Sequence, residues 1–170
     1  MFPGLSQSLD NLRIRPARPE DSGFVEALYR STRQDLLVVD AEADFIEDLV
    51  GMQYRAQITG YGEMFPDAMY FVVECMSAPI GRVVVDFGSN EVHLVDIALI
   101  PEARGQGYGT QILRILQRAA AQTRAPLTLT VSRTNPRARQ VYLALGFRVE
   151  QGDAMVECMV WYPTSDLMHG

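Results

Sequence analysis

Leu12 to Ala17 alternates apolar and polar residues, the two-residue period of a half-buried strand, and Arg18-Pro19 ends the run. Pro19, Glu20 and Asp21 suit the first turn of a helix that extends to about Ser31. From Asp40 to Tyr61, Phe45, Leu49, Met52 and Ile58 fall at helical spacing, with Asp40, Glu42, Asp44, Glu47 and Asp48 crowded at the start. Two β-rich runs, Tyr70 to Met76 and Ile80 to Phe87, are joined by Ser77-Ala78-Pro79. Gly88-Ser89-Asn90 then turns into a third, Glu91 to Ile100, which predicts an antiparallel meander. Gly107 to Thr123 is a helix with Ile112, Leu113, Leu116 and Ala120 on one side, and the strand Leu127 to Ser132 follows it. Asn135-Pro136 is an N-cap and first-turn pair, opening a helix whose apolar Ala138, Val141, Tyr142 and Leu145 share a face and which Gly146 can close. Phe147 to Gln151, the turn Gly152-Asp153 and Ala154 to Tyr162 make a last hairpin. This order predicts an α/β domain: a mixed, mostly antiparallel sheet of about seven strands with helices on both faces.

At 170 residues the chain fits one domain, placed at 12–162, between an N-terminal extension at 1–11 and a tail at 163–170. No apolar run approaches the roughly 20 residues that cross a bilayer. The opening MFPGLSQSLD lacks the basic and apolar regions of a secretion signal, so the expectation is a cytoplasmic protein without a membrane partner. Cys75 and Cys158 have no Cys-x-x-Cys or Cys/His spacing, which gives neither a disulfide framework nor a metal site and reads as two small buried hydrophobes. The net charge of -6 argues against nucleic acid as a partner. Its distribution is uneven: from Arg104 to Arg148 there are eight arginines and no acid, while the rest of the chain sets seven arginines against 21 acids. Either the later segment faces a polyanion, or arginine is simply preferred in a chain without lysine.

Candidate chemistry concentrates in Pro101-Glu-Ala-Arg-Gly-Gln-Gly-Tyr-Gly-Thr110, between the third meander strand and an amphipathic helix. Glycines allow positive φ and close approach of a ligand, and a helix start offers unpaired N–H groups at its positive end, a combination that holds a pyrophosphate. The Gly-x4-Gly-Lys-Ser/Thr loop is absent, and Gly105, Gly107 and Gly109 lack the spacing of a dinucleotide fold. Here the sequence resembles the GNAT superfamily of acyl-CoA-dependent N-acyltransferases. The hallmark Arg/Gln-x-x-Gly-x-Gly/Ala is met by Arg104, Gly107 and Gly109; the preceding apolar strand and proline by Ile97-Ala98-Leu99-Ile100-Pro101; the later Asn-x-x-Ala…Tyr…Gly-Phe by Asn135, Ala138, Tyr142, Gly146 and Phe147.

The resemblance implies that amides from Gly105 through Gln106, Gly107, Tyr108 and Gly109 to Thr110 hold the pyrophosphate of acetyl-CoA. It implies that the backbone of Ile97, Ala98 and Leu99 pairs with pantetheine like an added strand. Arg104 and Asn135 enter as motif residues of the cofactor site, and Arg137 and Arg139 as candidates for the adenosine phosphate. Tyr142 is implied as the general acid beside the sulfur. A lysine-like amine with a pKa of about 10.4 is almost wholly protonated at pH 7, so an acceptor of that kind needs a base. Glu91, His93 and Asp96 are the polar residues on the approaching strand, and His93 ranks first because it falls where related enzymes place a base or base-linked water. By parity Glu91 and His93 share a face and Asp96 points oppositely, unless a bulge intervenes. Asp96 among apolar neighbours needs a partner, a shifted pKa or a function. The expected activity is acetyl transfer from acetyl-CoA to an amine by direct attack in a ternary complex, without a metal. A longer acyl-CoA and a non-catalytic acyl-CoA-binding module are the alternatives. The acceptor is a cationic small molecule or a protein N-terminus, and a homodimer is open.

Overall fold

The computed structural model describes residues 12–32 and 43–164, with the side chains of 43–50 outside that description. The 1–11 extension therefore lies outside it, as do Asp40 and Glu42 of the acidic run and the side chains of Asp44, Glu47 and Asp48. The elements are β1 (Leu12–Pro16), α1 (Ser22–Thr32), α2 (Ala43–Met64), β2 (Met69–Cys75), β3 (Ala78–Phe87) and β4 (Val92–Leu99). They continue with α3 (Tyr108–Gln122), β5 (Leu127–Ser132), α4 (Pro136–Ala144), β6 (Arg148–Gly152) and β7 (Val156–Trp161). The seven strands form one sheet in the order β1-β2-β3-β4-β5-β7-β6, antiparallel except for the parallel β4–β5 pair. Among the described residues no helix is long and apolar enough to cross a membrane.

Each predicted strand and helix has its counterpart, and the differences are local. The β2–β3 turn is Met76-Ser77, both at positive φ (52° and 69°), with Cys75 paired to Ala78. The expected Ser77-Ala78-Pro79 connection is therefore displaced: a two-residue hairpin wants positive φ at both loop positions, and Pro79 instead sits in β3 opposite Glu74, at a register shift. Pro19, Glu20 and Asp21 make a separate 3-10 turn ahead of α1.

One face of the sheet carries Ile14, Val73, Val83, Val85, Leu94 and Leu129 against Ile112, Leu113, Leu116 and Ala120 of α3, all buried in a single core cluster. The α3 residues are the stripe expected from the sequence. Ala138, Val141, Tyr142 and Leu145 of α4 pack on the same cluster, partly buried. The opposite face meets α2 and the residue that follows it: Arg82 of β3 donates to Gln57 of α2, and His93 of β4 stacks on Phe65.

Candidate active site

Two departures from regular pairing in β4 create the site. The first is a bulge. Leu94 pairs with Val85 and Asp96 with Val84, so Val95 is the extra residue between them. Adjacent residues of β3 point to opposite faces, and Asp96 therefore emerges on the face that holds His93, the partner of Asp86. The exception left open by strand parity applies: Asp96 and His93 face the same way. The second departure is a parting of strands. Parallel pairing joins Val92, His93 and Leu94 to Leu127, Thr128 and Leu129, and stops there, while β4 runs on to Leu99 and β5 runs on beside β7. From Val95 onward the β5-facing edge of β4 has no strand partner among the described residues, which leaves an open ladder past Ile97, Ala98 and Leu99 with the Leu99 carbonyl taken by Arg104.

The parting leaves a cleft of about 120 Å³ lined by Val95, Asp96, Ile97, Leu129, Thr130 and Tyr142. Tyr142 is held by α4 with its ring against Phe147, centroids 5.8 Å apart. Burial, and secondarily the Asp96 carboxylate, pushes its phenol above the ordinary value of 10, so it stays protonated at neutral pH. Asp96 itself is held by Arg82, whose Nη2 lies 2.5 Å from Oδ2.

His93 and Glu91 lie beside this cleft, in a hollow of about 330 Å³ that they line with Thr128, Glu150 and Cys158. Leu129 and Thr130 line both openings, which therefore adjoin. His93 Nδ1 is 2.7 Å from Thr128 Oγ1, and its ring stacks on Phe65 at 5.3 Å. Burial lowers its pKa from the ordinary 6.5, against the opposing pull of Glu91 and then Asp86. The imidazole is neutral at pH 7, and with Nδ1 turned to Thr128 the other nitrogen is the one left to exchange a proton.

At the far end of β4 the glycine-rich loop leads into α3. Gly105 and Gly107 have φ of 73° and 87°, and Gly107 caps α3 in the left-handed conformation with no side-chain cap. The first-turn amides of Tyr108, Gly109 and Thr110 thus meet no side-chain cap among the described residues, the arrangement an anion requires. Arg104 Nε donates to the Leu99 carbonyl at 3.0 Å and Nη2 to Ser31 at 3.3 Å, so its guanidinium ties the end of β4 to α1. Gln106 donates to the Glu102 carbonyl at 2.6 Å, and the Tyr108 hydroxyl lies 3.6 Å from Cys75 Sγ. Asn135 accepts from the Ala138 amide at 3.2 Å as the N-cap of α4.

The two arginines of α4 differ. Arg139 Nε donates to Glu157 of β7 at 2.7 Å, and Arg133 shares that carboxylate at 3.6 Å. Arg137 is exposed, and a Cβ built on Gly105 would lie 4.0 Å from its Nη2, which puts the guanidinium over the glycine loop. Among the described residues no group of three or more His, Cys, Asp or Glu is arranged to hold a metal ion. Sequence reasoning missed Arg82 and Thr128. The one signal for Arg82 is a lone arginine inside the aliphatic run from Ile80 to Val85.

Residues 19–147 match the family model described as Acetyltransferase (GNAT) family. Thialysine N-epsilon-acetyltransferase of Bos taurus is 32% identical over 148 residues, which cover 78% of this chain and 82% of that protein. In fold the chain is similar to PaiA N-acetyltransferase from Thermoplasma acidophilum in complex with coenzyme A, with a TM-score of 0.68, 19% identity, and coverage of 89% of this chain and 98% of that one. It is also similar to spermidine N-acetyltransferase from Vibrio cholerae in complex with CoA and spermine, with a TM-score of 0.63, 20% identity, and coverage of 91% and 97%.

Proposed function

The chain belongs to the GNAT family of acetyltransferases, and from that premise we propose that it transfers the acetyl group of acetyl-CoA directly to a cationic amine in a ternary complex. The observation that carries this reading is the parting of β4 from β5 beyond Leu94, with Asp96 and Tyr142 together in the gap. An open strand edge, uncapped helix amides and the Arg137 guanidinium over the loop match the three parts of a CoA molecule: the pantetheine amides, the pyrophosphate and the ribose phosphate. Arg104, Gln106 and Asn135 hold the frame around those donors, and Arg139 is engaged by Glu157.

The acceptor enters from the hollow, where Glu91 and Glu150 favour a positive charge. Its amine loses one proton, and the nitrogen lone pair then forms the C–N bond to the thioester carbonyl carbon. Negative charge on the carbonyl oxygen is met by an N–H of the open β4 edge near Ala98 and Leu99. As the C–S bond breaks, sulfur takes the hydroxyl proton of Tyr142 and leaves as a thiol. The nitrogen gives up a second proton, so one proton restores Tyr142 and one reaches solvent. Asp96 and His93 share a face of the sheet leading out of the cleft and, with Glu91 lining the hollow beside His93, form the exit for that proton. Turnover of acetyl-CoA across a panel of diamines, lysine analogues and N-terminal peptides, read as released thiol, tests the proposal. CoA binding without product from any amine would leave a binding module instead.

A further inference from the structure

Arg82 stands at 5% exposure in a strand where Val83, Val84 and Val85 are fully buried. It pairs with Ala98 and faces the same way as Val84 and Asp96, so the Val95 bulge is what brings Asp96 within its reach. Its Nη2 serves both Asp96 Oδ2 at 2.5 Å and Gln57 Oε1 at 3.2 Å, while its Nε is buried with no hydrogen-bond partner among the described residues. A buried ion pair with an orphaned donor is a poor source of stability, and apolar replacements of such pairs are often neutral or better. Fold stability therefore does not account for an arginine at this position.

We infer that Arg82 is a positioning residue, fixing the Asp96 carboxylate toward the cleft it shares with Tyr142. The inference rests on the proposed role of Asp96 in handling the amine proton. The single contact from Nη2 pins Oδ2, and Oδ1 has no partner among the described residues, so it is the oxygen available to an incoming N–H. The Asp96 side chain retains 22% exposure, whereas Arg82 retains 6% and reaches substrate only through it. Tyr54 and Tyr61 of α2 neighbour the pair, and burial, together with the Asp96 charge, pushes the Tyr61 phenol up to about 12. Asp96 is the carboxylate that Arg82 contacts, and Arg82 sets which of its oxygens is free.

The test is a double-mutant cycle in the full chain: Arg82→Met, Asp96→Asn, the two combined, and Arg82→Lys, each read by kcat, acceptor KM, CoA Kd by calorimetry and Tm. The expected result is a fall in kcat of about tenfold to a hundredfold for Arg82→Met with CoA Kd within about twofold, and partial recovery in Arg82→Lys. Adding Arg82→Met to Asp96→Asn should change kcat by less than about threefold without lowering Tm, because the residue through which it acts is already gone. Should Arg82→Met fail to fold, the comparison of Asp96→Asn with the double variant decides alone. Equal losses in both backgrounds, or an unchanged kcat in folded Arg82→Met, overturn the inference and leave the proposed function standing. Full activity of Asp96→Asn overturns the inference together with the proposed part of Asp96 in the proton exit, and leaves acetyl transfer itself standing.

Discussion

His93 and Asp96 leave β4 on the same face although they are three residues apart, because Val95 is bulged out between them. An uninterrupted strand would turn Asp96 toward Val83 and the α3 core. The bulge thus lines up a neutral imidazole and a carboxylate from the cleft outward.

If His93 lies on the proposed proton path, the pH dependence of the reaction should follow its state. Burial depresses its pKa below 6.5, so the group is neutral at pH 7 and charges only as the pH falls further. Its contribution to stability has the same direction: present in full above the unfolded value near 6.5, it is lost as the pH drops through that value toward the folded one. The acid limb of kcat/KM is expected to lie below pH 6.5 and to change shape in His93→Gln. An identical profile in that variant would remove His93 from the proton path and leave Asp96, Glu91 or water.

Tyr142 is the proposed proton donor to the leaving sulfur; it lines the cleft and its phenol is kept protonated by burial. Tyr142→Phe keeps the ring packed on Phe147 and removes only the donor. Its kcat should fall by about a hundredfold to ten-thousandfold with little change in CoA Kd. Turnover equal to that of the parent enzyme would assign the proton to another donor.

The sheet was legible because its strands alternate and its turns carry Gly, Pro and Asn, and α4 because Asn135-Pro136 and Gly146 mark both ends. The Met76-Ser77 turn was not, since neither residue is a usual choice for positive φ. The bulge had a signal that parity alone passed over: the inward apolar positions Val92 and Leu94 are followed by Ile97 and Leu99, and a gap of three breaks the two-residue period. Arg137 and Arg139 read alike in the sequence because what separates them, Glu157 on β7, is a contact made only by the folded sheet.

That separation is itself measurable. Arg137→Ala should raise the KM for acetyl-CoA by about tenfold through loss of a charged phosphate contact, and should have little effect when the donor lacks the ribose phosphate. Among the described residues Arg139→Ala leaves buried Glu157 with only Arg133 at 3.6 Å, so its effect should appear as a lower Tm with the KM nearly unchanged. Reversal of the two phenotypes would return Arg139 to the phosphate site.

Gly107 carries the loop at φ 87°, and a Cβ there would meet nothing within 4 Å, so space is not what demands glycine. The demand is conformational, about 1–3 kcal/mol for a β-branched residue held in this region. Gly107→Val is expected to lower Tm by a few degrees, retain the native circular dichroism spectrum, and lose CoA binding in calorimetry. Retained binding would place the pyrophosphate elsewhere.

The sheet edge far from the cleft is held by charge. Arg15 Nη1 and Nη2 donate to both carboxylate oxygens of Asp21 at 2.8 Å, and Glu74 lies 3.2 Å from its Nε. The Arg15 bond, assisted by the Arg18 amide, holds Asp21 at a pKa of about 2, below its ordinary 3.8. A carboxylate with a depressed folded pKa stabilises above the unfolded value and loses that contribution as the pH falls from 3.8 through 2. Asp21→Asn should cost about 3 kcal/mol at pH 7, the low end for breaking a buried pair because Glu74 still faces Arg15. Denaturant midpoints of the two proteins should converge as the pH is lowered through that window, and a gap that stays constant down to pH 2 would show that the pair does not carry the difference.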